Sequence, residues 1–90
     1  MRAEFKPSFK KDLQALESVM QRRVSIACLE IVAVAGSQKD LFAHGVKKLV
    51  GWRSYYRVRI GDYRIGFKAE GSMIIFMHVL HRKEIYRHFP

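Results

Sequence analysis

Cysteine is almost absent from this sequence, because Cys28 is the only one among 90 residues. A disulfide framework and a zinc site built from several thiolates are therefore excluded. No apolar stretch approaches the roughly 20 residues that a transmembrane helix needs, and residues 1–6 lack the long apolar run of a signal peptide. We therefore expect a cytoplasmic protein of a reducing compartment, without membrane association.

Acidic residues are also few: there are eight, against 17 lysines and arginines, which gives a formal net charge of +9. They form no convergent cluster that would hold Mg²⁺, so a two-metal nuclease is not expected. The sequence also lacks a dinucleotide motif, a phosphate-cradling glycine loop and a Ser/His/Asp arrangement, so we expect no metal and no cofactor. The positive charge predicts nucleic acid, an acidic protein partner or both, with a merely solvated basic surface as the alternative.

The N-terminal third of the chain has helical periodicity. A short edge strand is expected before Pro7, and Ser8 is the expected N-cap of a helix that runs to about Met20. A second helix is predicted over residues 21–35, with Cys28 on its apolar side and in the core. A break at residues 21–23 is favoured over one long helix, because so small a core cannot cover a helix of that length.

The rest of the chain has mainly strand patterns. Residues 36–51 are interpreted as a mixed connector, and two alternating strands follow over residues 55–67. Residues 73–80 form an almost continuous apolar run, as expected of a central strand, and the basic residues 81–90 predict a short tail or helix. We therefore assign residues 1–90 to a single α+β domain of order β-α-α-β-β-β, with both helices on one face of a mostly antiparallel sheet.

The clearest local pattern is a hairpin, whose two strands meet at the tight turn Gly61-Asp62. A glycine at the first central position suits a type II′ turn. A two-residue loop fixes the cross-strand pairs. These pairs are Ile60–Tyr63, Arg59–Arg64, Val58–Ile65 and Arg57–Gly66.

Alternation along the hairpin separates apolar from basic side chains. One face is apolar, with Tyr56, Val58, Ile60, Ile65 and Phe67. The other carries Arg57, Arg59 and Arg64, and is called the arginine face below. Like charges that lie directly opposite each other destabilise a sheet, so we expect a polyanion to be held there. Arginine suits this role because its planar, permanently charged fork matches phosphate geometry.

Whether Arg82 joins the arginine face depends on the turn before the last strand. A two-residue loop at residues 70–71 would put the odd-numbered residues of that strand on the arginine face. A three-residue loop that ends at Ser72 would put His78, Leu80 and potentially Arg82 there instead. The three-residue loop is preferred because it sends an apolar set to the core beneath the helices. This set is Met73, Ile75, Met77 and Val79.

Aromatic and titratable residues are interleaved with the basic ones. Exposed aromatics beside arginines allow base stacking with single-stranded RNA, although packing at the sheet margin explains Trp52 and Tyr55 equally well. The histidines lack zinc-ligand spacing, but the location of His78 and His81 makes them candidates for acid–base chemistry. Tyr86 either anchors the tail or acts as a base whose phenolate is stabilised by nearby guanidinium groups.

Four stretches of the chain together resemble a known family. They are FKPSFKKDL (5–13), KLVG (48–51), YRVRIGDYRI (56–65) and VLHRKEIYR (79–87). In order and spacing they resemble the RelE/ParE superfamily, the toxin subunits of bacterial type II toxin–antitoxin pairs. The resemblance implies the compact toxin fold. For RelE-type members it also implies metal-independent cleavage of messenger RNA in the ribosomal A site, which inhibits translation until a cognate antitoxin neutralises the toxin.

The resemblance also assigns residues to the site. The family's basic pair on the first hairpin strand corresponds to Arg57 and Arg59, although lysines are familiar there in RelE itself. The expected catalytic residues are Arg59, Arg64, Arg82 and Tyr86. The expected RNA-binding residues are Arg57, which the resemblance assigns, and the neighbouring basic or titratable residues Lys47, Lys48, Arg53, His81 and Lys83. The interval from Arg82 to Tyr86 is shorter than in RelE.

These residues define a mechanistic hypothesis. The ribose 2′-hydroxyl attacks the adjacent phosphorus and leaves a 2′,3′-cyclic phosphate and a 5′-hydroxyl. Arg64 and Arg82 would stabilise the phosphoryl oxygens, and Tyr86, or failing it His78 or His81, would accept the proton. The expected partners are the ribosome, messenger RNA and an acidic, partly disordered antitoxin in a hetero-oligomeric complex. The alternatives are a ParE-like inhibitor of DNA gyrase and a simple RNA- or ribosome-binding module.

Overall fold

The computed structural model describes every residue from Met1 to Pro90, in four helices and five strands. In chain order these are β1 (Arg2–Phe5), α1 (Pro7–Gln14), α2 (Ser18–Val34), α3 (Gln38–Ala43), β2 (Val46–Lys48), β3 (Tyr55–Ile60), β4 (Tyr63–Glu70), β5 (Met73–His81) and α4 (Ile85–His88). The predicted α+β class is confirmed, and so is a short basic helix at the C-terminus. None of the four helices has the length and apolar character needed to span a bilayer.

The strands form one sheet of order β1-β5-β4-β3-β2. β1 lies at one edge and runs parallel to β5, whereas all other neighbouring pairs are antiparallel. The expected edge position of the first strand and the mostly antiparallel sheet are both confirmed.

The main core lies between α1, α2 and one face of the sheet. Phe9 on α1 and Val24, Cys28 and Ile31 on α2 are buried, which confirms the predicted core position of Cys28. They pack on the buried side chains of the sheet, which are Val46, Tyr56, Val58, Ile65, Phe67, Ile74, Phe76 and Val79. Burial raises the pKa of the Cys28 thiol to about 12, so this group stays protonated at neutral pH and serves as a core side chain.

The two N-terminal helices are present, but the predicted boundary between them is wrong. The chain breaks at residues 15–17, between α1 and α2, rather than at residues 21–23. Gln21, which was expected in the break, lies in α2 and holds the two helices together. Its Nε2 donates to the carbonyls of Leu13, at 3.0 Å, and Leu16, at 2.9 Å. One glutamine side chain thus bonds to carbonyls in the last turn of α1 and in the connector that follows it.

Ser8 is not the N-cap of α1, which corrects the second predicted boundary. The helix begins at Pro7, a residue preorganised for the first helical position. The Ser8 hydroxyl instead donates to the carbonyl of Met77, at 2.6 Å. One turn later, a carboxylate oxygen of Asp12 accepts the backbone N–H of Val79, at 3.1 Å. Side chains of α1 therefore cover the edge of β5 beyond the end of β1.

The interpretation of residues 36–51 as a connector was incomplete, because the segment contains α3 and β2. The hydroxyl of Ser37 accepts the backbone N–H of Asp40, at 3.3 Å, and so caps α3. β2 pairs with β3 and places Lys47 directly opposite Arg57. The segment therefore adds one helix and one edge strand to the predicted order β-α-α-β-β-β, and α4 is the short helix expected in the tail.

The hairpin of β3 and β4 is confirmed pair by pair. Arg59 lies opposite Arg64, and Arg57 lies opposite Gly66. Gly61 has a φ of 61° and Asp62 has a negative φ, which agrees with a type II′ turn. The apolar face of the hairpin points to the core and the arginine face points away from it.

The turn before the last strand differs from both predicted loops. Residues 71–72 form a two-residue turn, so Glu70 lies opposite Met73. Ile74 and Phe76 are consequently the fully buried residues of this half of β5. The predicted core positions of Met73, Ile75 and Met77 are wrong, because these residues are only partly buried.

A β-bulge at Met77 then reverses the alternation of β5. The register shifts between the pairs made by Phe76 and His78, so Met77 has no partner on β4. Val79 is therefore buried, as predicted, and His78 and Leu80 lie on the arginine face. Because of the bulge, Val79 faces the core and His78 and Leu80 face away from it, as the prediction with the three-residue loop had it.

The C-terminal tail covers part of the arginine face. Ile85 and Phe89 are buried there, although they lie outside the main core. The ring of Phe89 sits directly on Gly66, where an added Cβ would approach ring carbons to 2.7 Å. Tyr55 packs edge-on against the same ring, with the centroids 5.7 Å apart. A glycine on β4 thus provides the space that seats the tail on the sheet.

Candidate functional site

A cavity of about 340 Å³ opens on the arginine face, and no hydrophobic residue lines it. We call it the arginine cavity; its lining residues are Gly45, Lys47, Arg57, Arg59 and Arg64. Two cross-strand pairs supply the charges: Lys47 lies opposite Arg57, and Arg59 lies opposite Arg64. Strands β2, β3 and β4 therefore direct four cationic side chains into one space.

The four cationic side chains of the cavity have no acidic partner. The ion pairs of the chain involve Lys68, His78, Arg82 and Arg87, all of which lie outside the cavity lining. Arg59 and Arg64 instead donate to the carbonyl of Gly61, at 3.2 and 3.1 Å. This carbonyl orients two guanidinium groups without neutralising them. The cavity is therefore suited to an anion such as phosphate, which arginine binds with charge-assisted hydrogen bonds.

Tyr86 reaches the border of the cavity from α4. An Nη of Arg57 donates to the hydroxyl oxygen of Tyr86, and the guanidinium carbon lies 5.5 Å from the centroid of the tyrosine ring. Both a hydrogen bond and a cation–π contact therefore join this exposed tyrosine to the cavity. The association of Tyr86 with the arginines agrees with its predicted position, even though the interval that precedes it is short.

Arg82 lies at the margin of the site and does not line the cavity. Its backbone N–H donates to the carbonyl of Asp62, at 2.8 Å. Its Nε lies 4.0 Å from a carboxylate oxygen of the same residue, and both side chains are more than half exposed. Such a long, solvated pair holds the arginine only weakly. The structure therefore brings Arg57, Arg59 and Arg64 together and leaves Arg82 apart.

The other predicted RNA-binding residues surround the cavity at a distance. The ring of His81 packs against Tyr63, with centroids 5.7 Å apart, and its Nδ1 accepts the backbone N–H of Lys83, at 3.2 Å. Lys48 adjoins the cavity lysine on β2, and alternation turns it to the opposite face. Arg53 is exposed in the loop that joins β2 to β3. Of this predicted group, Lys47 and Arg57 line the cavity.

His78 is separated from the arginine cavity by the tail. Gly66 pairs with Arg57 on one side and with His78 on the other, and the ring of Phe89 covers it. The Nδ1 of His78 lies 2.8 Å from the carboxylate of Asp12. This histidine therefore belongs to the contact between α1 and β5 rather than to the group around the cavity.

Two features of the site were not predicted from the sequence. Gly45 lines the cavity with a left-handed φ of 81°, and the His44-Gly45 pair was a signal for such a turn. Phe89 seats the helix that carries Tyr86, but no periodicity over the few tail residues pointed to it. The cavity residues that hairpin alternation predicted are the three arginines on the long, regular strands β3 and β4.

Comparison with protein families gives one match along nearly the whole chain. Residues 3–86 match the family described as ParE toxin of the type II toxin–antitoxin system. The match includes every cationic residue of the arginine cavity and Tyr86.

Individual relatives are named RelE. The chain is 40% identical to Toxin RelE3 of Methanocaldococcus jannaschii, over 100% of both chains. Among solved structures, it resembles a RelB–RelE antitoxin–toxin complex from Methanococcus jannaschii, with a TM-score of 0.76, 37% identity, and coverage of 97% of this chain and 99% of that one. An archaeal RelE–RelB complex from Pyrococcus horikoshii matches with a TM-score of 0.65 and 26% identity, over 90% of this chain and 93% of the other.

Proposed function

Because this chain belongs to the RelE/ParE superfamily and is a RelE-like toxin of a type II toxin–antitoxin pair, we propose that it is a ribosome-dependent, metal-independent endoribonuclease that cleaves messenger RNA. The observation that carries this proposal is the arginine cavity, in which four cations converge without any carboxylate. A nuclease that uses guanidinium groups needs such unneutralised charge, because charge develops on the phosphoryl oxygens in the transition state. The proposed target places the activity in the cytoplasm.

The proposed reaction is an internal transesterification. The 2′-oxygen of one ribose attacks the adjacent phosphorus, and the bond from phosphorus to the 5′-oxygen of the next nucleotide breaks. The products are a 2′,3′-cyclic phosphate and a 5′-hydroxyl. Arg59 and Arg64 stabilise the phosphoryl oxygens, since the Gly61 carbonyl already orients both side chains. Arg57 and Lys47 hold the phosphate from the other side of the cavity.

Tyr86 is the proposed base for the 2′-hydroxyl. A free phenol is a poor base at neutral pH, but Arg57 donates to the Tyr86 oxygen and would stabilise a negative charge on it. His78 is less suited to this role because Phe89 stands between it and the cavity, and His81 packs against Tyr63. The leaving 5′-oxygen takes its proton from water or from a group that the ribosome supplies.

Arg82 and the outer basic residues have positioning roles in this proposal. The loose pair with Asp62 leaves the Arg82 side chain able to turn to a phosphoryl oxygen once RNA is bound. Three exposed or half-exposed side chains would then contact the RNA backbone beyond the cavity. They are Arg53, His81 and Lys83, whereas Lys48 faces the other side of the sheet.

We also propose that a cognate antitoxin, acidic and partly disordered, neutralises this toxin in a hetero-oligomeric complex. The support is the net charge of +9 and the two similar archaeal complexes in which RelE is bound to RelB. The chain also has an apolar groove of about 580 Å³ between β1, α1 and α2, with Phe5, Leu13 and Leu29 in its lining. An acidic antitoxin segment with interspersed apolar side chains would complement both the basic surface and the apolar groove.

The test is primer extension on messenger RNA in a reconstituted translation reaction. The wild-type protein is expected to produce ribosome-dependent cuts, and Arg64→Ala is expected to lower the cleavage rate by about 100-fold, the usual effect of removing one transition-state donor. Arg22→Ala is the matched control, because it removes an equal charge from an exposed position on α2. Intact message with the wild-type protein would overturn the nuclease proposal.

Gyrase inhibition is the second candidate, because the matching family is described as ParE toxin. The RelE-like relatives favour the ribonuclease. A gyrase inhibitor would leave message intact in the translation reaction and would cause purified gyrase to accumulate cleaved DNA. The two candidates therefore give opposite results in a pair of assays on the same preparation.

A further inference from the structure

The loop that joins β2 to β3 exposes large apolar side chains at a defined position. Val50 is 97% exposed and Trp52 is 54% exposed. The loop is anchored at its C-terminal end, where the Ser54 carbonyl accepts the backbone N–H of Ala69, at 2.9 Å. Ser54 has a left-handed φ of 68°, a conformation that non-glycine residues adopt only infrequently. The exposed indole is therefore followed by a turn of defined geometry that is hydrogen-bonded to β4.

Trp52 begins a row of aromatic rings that leads to the arginine cavity. Its ring packs edge-to-face with Tyr55, at a centroid distance of 6.1 Å and an angle of 77°. Tyr55 in turn packs edge-on against Phe89, and the Nζ of Lys68 lies 5.4 Å from the Tyr55 centroid. Tyr55 and Arg57 share one face of β3 and are roughly 7 Å apart along the strand.

We propose that Trp52 is a stacking site for a base of single-stranded RNA whose phosphate occupies the arginine cavity. This inference rests on the proposed function and adds a base-binding position to it. Packing at the sheet margin accounts for the half-buried Tyr55, but it does not account for an indole that is more than half exposed. The edge-to-face contact leaves at least one flat face of the indole open, and every nucleobase can stack on such a face.

RNA fits this surface better than an acidic protein does. Cations that can attract a phosphate backbone lie in the loop, beside Tyr55 and in the cavity: Arg53, Lys68, which is also paired with Glu70, and Lys47. An acidic peptide would be attracted by the same charges, but the apolar side chains proposed for the antitoxin already have a groove of their own between β1, α1 and α2. Stacking on the indole contributes to the affinity for RNA whichever base is present. It would therefore position the strand rather than select a particular sequence.

Trp52 is the only tryptophan of the chain, so its fluorescence reports directly on this site. The probe is a short 2′-O-methyl RNA, which cannot be cleaved because the attacking hydroxyl is blocked. We expect this RNA to quench the fluorescence, and an abasic strand of equal length to bind without quenching. Trp52→Ala should weaken binding of the base-bearing strand about tenfold, a typical effect of losing one stacked base, and Trp52→Phe should retain most of the affinity.

Val50→Ala is the matched control, since it truncates an even more exposed side chain in the same loop. RNA binding without any change in fluorescence, or equal affinity of Trp52→Ala and wild type, would overturn the stacking site. Quenching by an acidic antitoxin peptide but not by RNA would also overturn it. Failure of the proposed function is distinguishable, because the wild-type protein would then leave message intact on the ribosome whatever the fluorescence result.

Discussion

At the residue scale, the cationic side chains of the site differ in what holds them. Arg59 and Arg64 are oriented by a backbone carbonyl, and Arg57 is held by the hydroxyl and ring of Tyr86. Arg82 has only a distant, solvated carboxylate. Preorganised donors contribute most to transition-state stabilisation. We therefore expect Arg59 and Arg64 to matter more for the proposed catalysis than Arg82 does.

Tyr86→Phe tests the proposed base directly. The variant keeps the ring against Arg57 and removes only the hydroxyl, so folding should be unchanged. We expect the rate of ribosome-dependent cleavage to fall by about 100-fold, which is the typical contribution of general acid–base catalysis. Single-turnover primer extension measures this rate. A cleavage rate equal to that of the wild type would remove Tyr86 from the reaction and return His78 to consideration.

Arg82→Ala separates the role implied by family resemblance from the role suggested by geometry. Because Arg82 does not line the arginine cavity, we expect its removal to lower the cleavage rate by about tenfold, clearly less than the effect of Arg64→Ala. The same primer-extension assay gives both rates. If the two variants were equally impaired, Arg82 would have to enter the cavity when RNA binds.

At the element scale, long regular segments were predictable and short or irregular ones were not. A two-residue turn with glycine in first position fixes every pair of the hairpin, and therefore the arginine face. The bulge at Met77 could not be predicted in this way, because apolar residues occupy both faces of β5 and alternation is not visible. The break between α1 and α2 contains neither proline nor glycine, so the sequence carries no strong stop signal there.

The missed elements have similar physical reasons. β2 has three residues, too few for alternation to show. α3 has six, too few for a helical stripe, although Ser37 and Asp40 form a recognisable cap. The three arginines of the cavity were predictable from alternation because they lie on β3 and β4, whereas the seating of Tyr86 depends on a tail contact with Gly66 that only the tertiary structure provides.

The contact that seats the C-terminal tail on β4 should be important for both stability and cleavage. In Gly66→Ala, the new Cβ would lie 2.7 Å from ring carbons of Phe89, so the ring must move off the sheet. We expect a loss of about 1–3 kcal/mol of unfolding free energy, as for other overpacked sites, together with reduced cleavage. Urea denaturation and primer extension measure the two effects.

Gly36→Ala is the appropriate control for that variant. Nothing lies within 4 Å of a Cβ built at Gly36, and its φ is not left-handed, so the same chemical change should be tolerated. Equal urea midpoints for the two variants would show that Phe89 is not held by the close contact with β4.

At the scale of the whole molecule, the excess of positive charge is concentrated where RNA is proposed to bind. Each phosphate contact with a single strand contributes about 0.7 to the slope of log affinity against log salt concentration. We therefore expect Arg57→Ala to reduce the slope for the 2′-O-methyl RNA by about that amount. Arg22→Ala, which changes the net charge equally, should leave the slope unchanged, and a reduced slope in this control would indicate nonspecific attraction.

The strand order also determines how late in synthesis the sheet and the site can form. β1 is made first, but its only neighbour in the sheet is β5, and the ring that seats α4 belongs to Phe89, which follows β5 in the chain. Most of the chain must therefore leave the ribosome before either contact forms. Chains arrested before Ile85 should lack RNA cleavage. A toxin built in this order has no complete site until β5 and α4 have been synthesised, so the proposed cleavage activity should appear only late in the synthesis of each chain.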